Sequence, residues 1–287
     1  MFRKKFILLV SLIVLGLLMV ACGGQAAPEM SAAPEENTAV QTDTTHEEAA
    51  TDSTHTAVHW GYTGEGGPEH WADLDPAANA ACKTGTAQSP IDIKGATGED
   101  LADIVFNYGE TAVNIFNNGH TVQIKYDTGS SIEFNGVTYN LDQFHFHAPS
   151  EHEINGELVA AEMHLVHKSA NGAYAVVGVM IQVGAENPAF APVWDNLPTS
   201  ITETPTTIAG ATINANDLLP DERTYYNYSG SFTTPPCTEG VTWLVLTTPI
   251  EMSAQQIADF KAIIGNNNRP VQDLNGRPLT EDTTSSN

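Results

Sequence analysis

The sequence predicts a mainly β, β-rich α+β protein: a single domain built on one large sheet with few helices. Three observations predict it. Short alternating or continuously apolar segments fill the chain after about residue 120, Asn-Gly pairs punctuate them, and one stretch alone carries convincing helical spacing.

"TVQIKY" (121–126) and "SIEFNGVTYNL" (131–141) come first. Asn135-Gly136 inside the second favours a hairpin, because both residues tolerate positive φ. "FHFH" (144–147) alternates with period two. "AAEMHLVHKS" (160–169) and "YAVVGVMIQVG" (174–184) flank Asn171-Gly172, and Asn155-Gly156 lies in the loop before them. "TWLVLTTPI" (242–250) is the last predicted strand. Ser253 then opens an S-x-x-Q capping box with Gln256, and "AQQIADFKAII" carries apolar residues at helical spacing. Order should begin near "HWGYTGEGGPEHW", where Trp60, Tyr62 and Trp71 arrive together. The domain is therefore expected from about 57 to 281, with 282–287 a loose tail.

The N-terminus is of a different kind. Arg3, Lys4 and Lys5 precede the apolar run "FILLVSLIVLGLLMV", which falls short of the roughly 20 residues a spanning helix needs. Residues 1–21 therefore fit a signal peptide and predict export from the cytoplasm. The run ends in "LMVACGG", with Ala21 before Cys22, and resembles a bacterial lipoprotein signal whose cysteine becomes the lipidated N-terminus. Met19 stands where leucine is commoner. A signal peptide cut nearby, with Cys22 discarded or free, is the competing reading; lipidation, with Cys22 as the membrane anchor, is taken forward. Residues 22–56 are rich in Ala, Thr, Glu and Pro, cannot bury a core, and read as an acidic tether. His46, His55 and His59 at its end read as solvated histidines.

Charge narrows the partners. The net charge is −24, and removing the leader takes three of the 11 Lys+Arg and none of the 35 Asp+Glu, leaving about −27. Such acidity excludes nucleic acid and an anionic membrane surface as natural partners. If Cys22 carries lipid, Cys82 and Cys237 remain as a pair. A disulfide between them would stabilise the fold by about 4 kcal/mol in the chain-entropy account; two buried free thiols are the alternative. The sequence assigns no oligomeric state.

The chemistry concentrates in "QFHFHAPSEH", 143–152. Residues two apart on a strand share a face, so His145 and His147 point one way while Phe144 and Phe146 point into a core. Two imidazoles side by side on a rigid strand make half a zinc site. The next strand offers His164 and His167, whose odd separation puts them on opposite faces. Glu162 shares the face of His164, and a carboxylate taking the other ring N–H is the usual company of a zinc histidine, which selects His164. His152 follows Pro149, Ser150 and Glu151 and reads as a structural hydrogen-bonding residue. Three neutral histidines with an open fourth position describe a catalytic zinc site, which supplies hydroxide at neutral pH.

With these residues in place the sequence resembles the alpha-class carbonic anhydrases. The resemblance runs from "HWGY" (59–62) to "NNRPVQ" (267–272). It passes through "GPEHW" (67–71), "QSPIDI" (88–93), "NNGH" (117–120), "QFHFH" (143–147), "SEH" (150–152), "AAEMHLVH" (160–167), "SFTTPP" (231–236) and "VTW" (241–243). "HAPSEH" and the Cys82/Cys237 pair look like the bacterial branch.

The resemblance implies a twisted, mostly antiparallel central sheet, a conical cleft leading to Zn2+, and reversible hydration of CO2 to bicarbonate and a proton, with weak esterase activity on the side. It implies His145, His147 and His164 as ligands, steadied by Gln143, by the backbone near Asn267 and by Glu162 respectively. Thr233, donating to buried Glu151, would orient the attacking hydroxide, and Thr234 would bond water or bicarbonate. Val166, Val176, Phe232, Val241 and Trp243 match the apolar pocket for CO2, with Phe232 standing where leucine is common. His120 matches the proton shuttle, and Tyr62, Asn118 and Gln123 the polar wall that holds relay waters. Ala148 replaces a tryptophan common in animal relatives, which should relax packing near the zinc strands.

Overall fold

The computed structural model describes residues 59–284. The predicted signal peptide, Cys22 and the tether lie outside the described residues. Fifteen strands form. The first six are β1 Asp92–Ile93, β2 Thr97–Glu99, β3 Val105–Asn107, β4 Glu110–Asn117, β5 Val122–Lys125 and β6 Ser131–Phe134. Next come β7 Val137–His147, β8 Glu153–Ile154, β9 Ala161–Ser169, β10 Tyr174–Val183 and β11 Thr206–Asn214. The last are β12 Tyr225–Ser231, β13 Glu239–Leu246, β14 Ile250–Met252 and β15 Thr280–Asp282.

Thirteen of them make one sheet, whose main path is β11-β4-β5-β7-β9-β10-β13-β12-β15-β2. Most neighbours are antiparallel, as expected; β10 runs parallel to β13 and β14, and β15 to β2. The hairpin signals act as predicted. Asn135 and Gly136 both take positive φ (49° and 75°) between β6 and β7, the backbone a two-residue turn needs to match strand twist. The β9–β10 turn at Asn171-Gly172 is closed by Ser169 N–H donating to the Ala173 carbonyl (2.9 Å).

Three expectations are corrected. "FHFH" is the end of the eleven-residue β7, continuous with the preceding segment through a bulge between Leu141 and Gln143. "TWLVLTTPI" is two strands, broken where Thr247 leaves β10 and donates to the Thr224 carbonyl (2.9 Å). The tail predicted loose from 282 is tied down at its start: Asp282 is a buried member of β15, and Thr283 N–H donates to the Glu99 carbonyl (2.9 Å).

Alternation sorts the sheet into two faces. Phe144, Phe146, Met163, Leu165, Val177 and Leu244 enter the larger core. The helix Ala254–Ile264 covers that core with Ile257 and Phe260, and its capping box is complete, Gln256 N–H donating to Ser253 Oγ (3.1 Å) and Ser253 N–H to Gln256 Oε1 (3.0 Å). Such a cap contributes about 1 kcal/mol. On the other face Ile91, Ile93, Val166, Val176 and Trp243 build a smaller cluster, and the polar residues of β7 and β9 come up beside it. Near Ala148 the packing stays tight: a void of about 10 Å³ remains, walled by Trp194, Phe146 and Phe260. The expected loosening is confined to this gap.

Candidate metal centre

His145 and His164 stand opposite each other in the β7–β9 register, and His147 lies two residues further along β7. One nitrogen from each of the three lies within 4.8 Å of the others. Each ring's other nitrogen is engaged. His145 Nδ1 faces Gln143 Oε1 (2.8 Å), His147 Nδ1 faces the Asn267 carbonyl (2.7 Å), and His164 Nε2 faces Glu162 Oε1 (2.9 Å). These acceptors put the proton on the engaged nitrogen and turn a lone pair inward from Nε2 of His145 and His147 and from Nδ1 of His164.

His147 Nε2 is buried and has no hydrogen-bond partner. A buried polar nitrogen without a partner costs about 1–3 kcal/mol unless something fills its place, and a cation among three neutral imidazoles does so. Burial pushes all three imidazole pKa values down, His147 to about 4, and neighbouring histidines push His145 further. The rings are neutral at pH 7, as ligation requires. The residues present therefore fit a zinc ion, and the triad opens toward the cleft. A second group, His152, Glu162 and His164, also brings three donor atoms together, but those atoms already bond one another and leave no place for an ion.

The support beneath the ligands is buried and charged. Glu162 accepts the N–H groups of Glu151 and His152 (both 2.9 Å) on Oε2, and Oε1 meets His152 Nδ1 at 2.7 Å. His152 Nε2 reaches the Tyr228 hydroxyl (2.7 Å), which in turn meets Ser89 Oγ (2.8 Å). The structural role expected of His152 is this bridge. Gly178, opposite His164 in the β9–β10 register, leaves the room: a Cβ there would lie 3.1 Å from Glu162 Oε1. His167 points to the other face, as its parity requires, and meets the Tyr108 hydroxyl (2.7 Å).

The family model described as eukaryotic-type carbonic anhydrase matches residues 66–283. The chain belongs to the alpha-class carbonic anhydrase family. A carbonic anhydrase of Pectobacterium carotovorum is 44% identical over 230 residues, 80% of this chain and 91% of the relative. The structure of an alpha-carbonic anhydrase from Thermovibrio ammonificans in complex with the inhibitor sulfanilamide superposes with a TM-score of 0.74 at 44% identity, covering 77% of this chain and 98% of that one. A dioscorin solved with ascorbate is also similar, at 32% identity and a TM-score of 0.72, covering 78% of this chain and 98% of that one.

The three histidines open onto a cleft of about 280 Å³. Its lining includes the polar residues Tyr62, Asn118, His120 and Gln123, the apolar residues Val166, Val176, Phe232 and Trp243, and Thr233 and Thr234. Trp243 turns its ring N–H away to the Ser231 carbonyl (3.0 Å), presenting only apolar surface. Val241 is the exception among the predicted wall residues: it is buried in the same cluster as Trp243 and is not part of the lining. Tyr62 stays a neutral hydroxyl, since burial and Glu151 raise its pKa well above the ordinary value.

Glu151 is wholly buried. Its Oε1 accepts the Arg269 N–H (2.8 Å), while Oε2 has no partner in good geometry, with the Thr233 hydroxyl as the neighbouring donor. Burial pushes its carboxyl up to about 7 against the pull of His164, Arg269 and Thr233; a dication in the adjacent triad would favour the carboxylate. A Cys82–Cys237 disulfide spans 155 residues of sequence, and Cys237 N–H donates to the Thr234 carbonyl (2.8 Å). The threonine loop is thus fastened to the N-terminal segment. The sequence reading took Trp60 only as a mark of where order begins and gave it no part in the site; its ring stacks on His120 at 3.5 Å with planes 8° apart.

Proposed function

We propose that this chain is a zinc-dependent carbonic anhydrase that hydrates CO2 reversibly to bicarbonate and a proton, working outside the cytoplasm. One observation carries the reading: three neutral imidazole nitrogens converge at the floor of an open cleft, the one from His147 buried without a partner. Zinc held by three histidines lowers the pKa of bound water to about 7, a value for which carbonic anhydrase is itself the reference case.

The chain's own residues supply positioning. Glu151 can only accept from the Thr233 hydroxyl when ionised, so Thr233 oxygen is left to accept, which fixes the direction of its bond to the attacking oxygen. Val166, Val176, Phe232 and Trp243 offer an apolar wall to uncharged CO2. Thr234 bonds bicarbonate or water. His120 carries the released proton out along the polar wall of Tyr62, Asn118 and Gln123. The cleft also admits small esters, so weak esterase activity accompanies hydration.

His164→Ala should lose zinc and CO2 hydration together; a zinc-free variant with full activity would overturn the reading. The likeness to dioscorin supports a second reading, a small-molecule binding protein without hydration activity. Stopped-flow CO2 hydration on the zinc-loaded wild type separates the two. For location, the signal-like residues 1–21 and Cys22 support a lipid-anchored, exported enzyme. Cys22→Ser should move it to the soluble fraction, and retention on membranes would rule lipidation out as the tether.

A further inference from the structure

Arg269 carries a buried charge, its side chain only 2% exposed. Nη1 donates to Gln88 Oε1 (2.9 Å) and the Ser89 carbonyl (2.7 Å), and Nη2 to the Cys82 carbonyl (3.1 Å). All three acceptors are neutral. Among the described residues no carboxylate forms an ion pair with the guanidinium, which lies over the Trp71 ring, 5.5 Å from its centroid. A guanidinium has five N–H donors, so the Nε–H and one Nη2–H of Arg269 are left without a partner among the described residues. A buried charge is costly unless an opposite charge answers it. Burial pulls the Arg269 pKa down to about 10, against the charge of Glu151.

Arg269 also lines a cavity of about 290 Å³ that shares no residue with the cleft over the histidines. Lys83, Gln272 and Glu69 line it too. Glu69 is its one acid, and that exposed carboxylate lies 3.8 Å from His70 Nε2; Lys83 meets Asp73 at 3.3 Å. The cavity is tied to the metal centre through the chain. Arg269 N–H donates to Glu151 Oε1 (2.8 Å), and the carbonyl of Asn267 meets His147 Nδ1 (2.7 Å).

We propose that this cavity binds a small, singly charged oxyanion of carboxylate shape, anchored by Arg269. The planar fork of a guanidinium matches two oxygens of such an anion. Glu69 and Asp73 at the rim, and a net charge of −24, disfavour dianions such as phosphate. Formate, acetate and bicarbonate share the required chemistry. Bicarbonate as the natural occupant rests on the hydration activity proposed above; the site itself does not. A bound anion holds the guanidinium and so steadies the segment 267–269 that supports His147 and Glu151.

The test uses the full, zinc-loaded chain with formate, acetate, bicarbonate, phosphate or chloride at equal ionic strength. The chain has four arginines, so loss of one Nε–H signal in Arg269→Lys identifies it in a proton–nitrogen correlation spectrum. If that variant does not fold, Arg223→Lys and Arg277→Lys identify it by elimination. Formate, acetate and bicarbonate should shift this signal saturably with a Kd of about 1–10 mM. At ten times Kd each should raise Tm by roughly 3–6 °C. Phosphate and chloride should bind roughly tenfold more weakly. Gln272→Glu puts a carboxylate into the cavity wall and should weaken acetate by roughly tenfold. Glu69→Gln removes one and should tighten acetate by about two- to threefold. Bicarbonate binding tighter than acetate makes the reaction product the occupant, and the reverse a carboxylate from elsewhere; both support the site. An Arg269 Nε–H unmoved by every anion, a response to chloride equal to that for acetate, or acetate binding unchanged in Gln272→Glu would each overturn it. A chain without CO2 hydration would overturn the functional reading and leave the acetate result standing.

Discussion

Glu162→Gln isolates what the buried carboxylate beneath the ligands contributes, because it keeps the shape and removes the charge. Burial opposes ionisation of Glu162, but the charges and hydrogen bonds of His152 and His164 outweigh it and hold the carboxyl well below the usual range. Four donor nitrogens converge on its two oxygens at 2.7–2.9 Å. A glutamine brings one accepting oxygen and one NH2. If the oxygen faces the Glu151 and His152 N–H groups, the NH2 confronts His164 Nε2–H. If the amide is turned over, the NH2 confronts the two backbone donors. His152 can escape by changing tautomer and donating to the Tyr228 hydroxyl; His164 cannot while its Nδ1 holds a metal. With zinc bound at least one buried donor loses its acceptor, at about 1–3 kcal/mol; without it His164 can also change tautomer and accept from the NH2, so the apo protein should lose less than about 1 kcal/mol. Zinc affinity should fall 10–100-fold, the range for loss of such a partner, for which carbonic anhydrase is itself a reference case. Competition with a chromophoric chelator and urea unfolding of the apo protein measure the two. A folded variant binding zinc within about twofold of wild type would refute the idea that Glu162 sets the tautomer of His164.

Three further outcomes follow from packing. Cys82→Ser with Cys237→Ser should cost about 2–5 kcal/mol in urea unfolding, because the closed loop is long, and should leave stability insensitive to reductant; an undiminished unfolding midpoint would count against this. Gly178→Ala should lose about 1–3 kcal/mol and weaken zinc binding, since its Cβ would meet Glu162 Oε1 at 3.1 Å and Val245 Cγ2 at 3.3 Å; wild-type values for both would show that the strands move apart freely. Phe232, edge-on to Tyr174 at 4.9 Å, lines the cleft. Phe232→Leu should therefore speed hydrolysis of bulky aryl esters more than CO2 hydration, and parallel changes in both rates would show that Phe232 is no gate.

The histidine triad was legible because a strand repeats every two residues: His145 and His147 must share a face, and Glu162 beside His164 decided between two candidate histidines. Gln143 and Asn267 do steady His145 and His147 as the resemblance implied. What stayed hidden depends on contacts between distant segments, which no local period encodes. Trp60 and His59 meet His120 across about sixty residues of chain. Val241 has the composition of a wall residue, yet whether it lines the cleft or is buried in the cluster with Trp243 depends on the strand pairings, which the sequence does not print. Asp282 carries a charge at a chain end and reads as loose, but its carboxylate accepts the Leu101 N–H (3.2 Å), which anchors it.

The register explains why so many of these residues act together. One row across the sheet runs Gln123, His145, His164, Gly178, Val245: a polar residue of the cleft lining, two of the triad histidines, the space for the carboxylate, and core. The next row runs Gln143, Val166, Val176, Trp243, Tyr228, joining a ligand's support to the apolar wall and then to the His152 bridge. On the opposite side His147 pairs with Glu162 and Glu162 with Met180. The triad histidines, their acceptors and the apolar lining of the cleft thus occupy three adjacent rows of one face. A slip of one residue between β7 and β9 would turn one strand's side chains over relative to the other's, separating His164 and Glu162 from His145 and His147. The Asn135-Gly136 and Asn171-Gly172 turns, together with the Phe144, Phe146, Met163 and Leu165 side chains on the reverse face, oppose that slip. The apolar half of the alternation therefore sets the geometry of the polar half, and the site is as rigid as the core behind it.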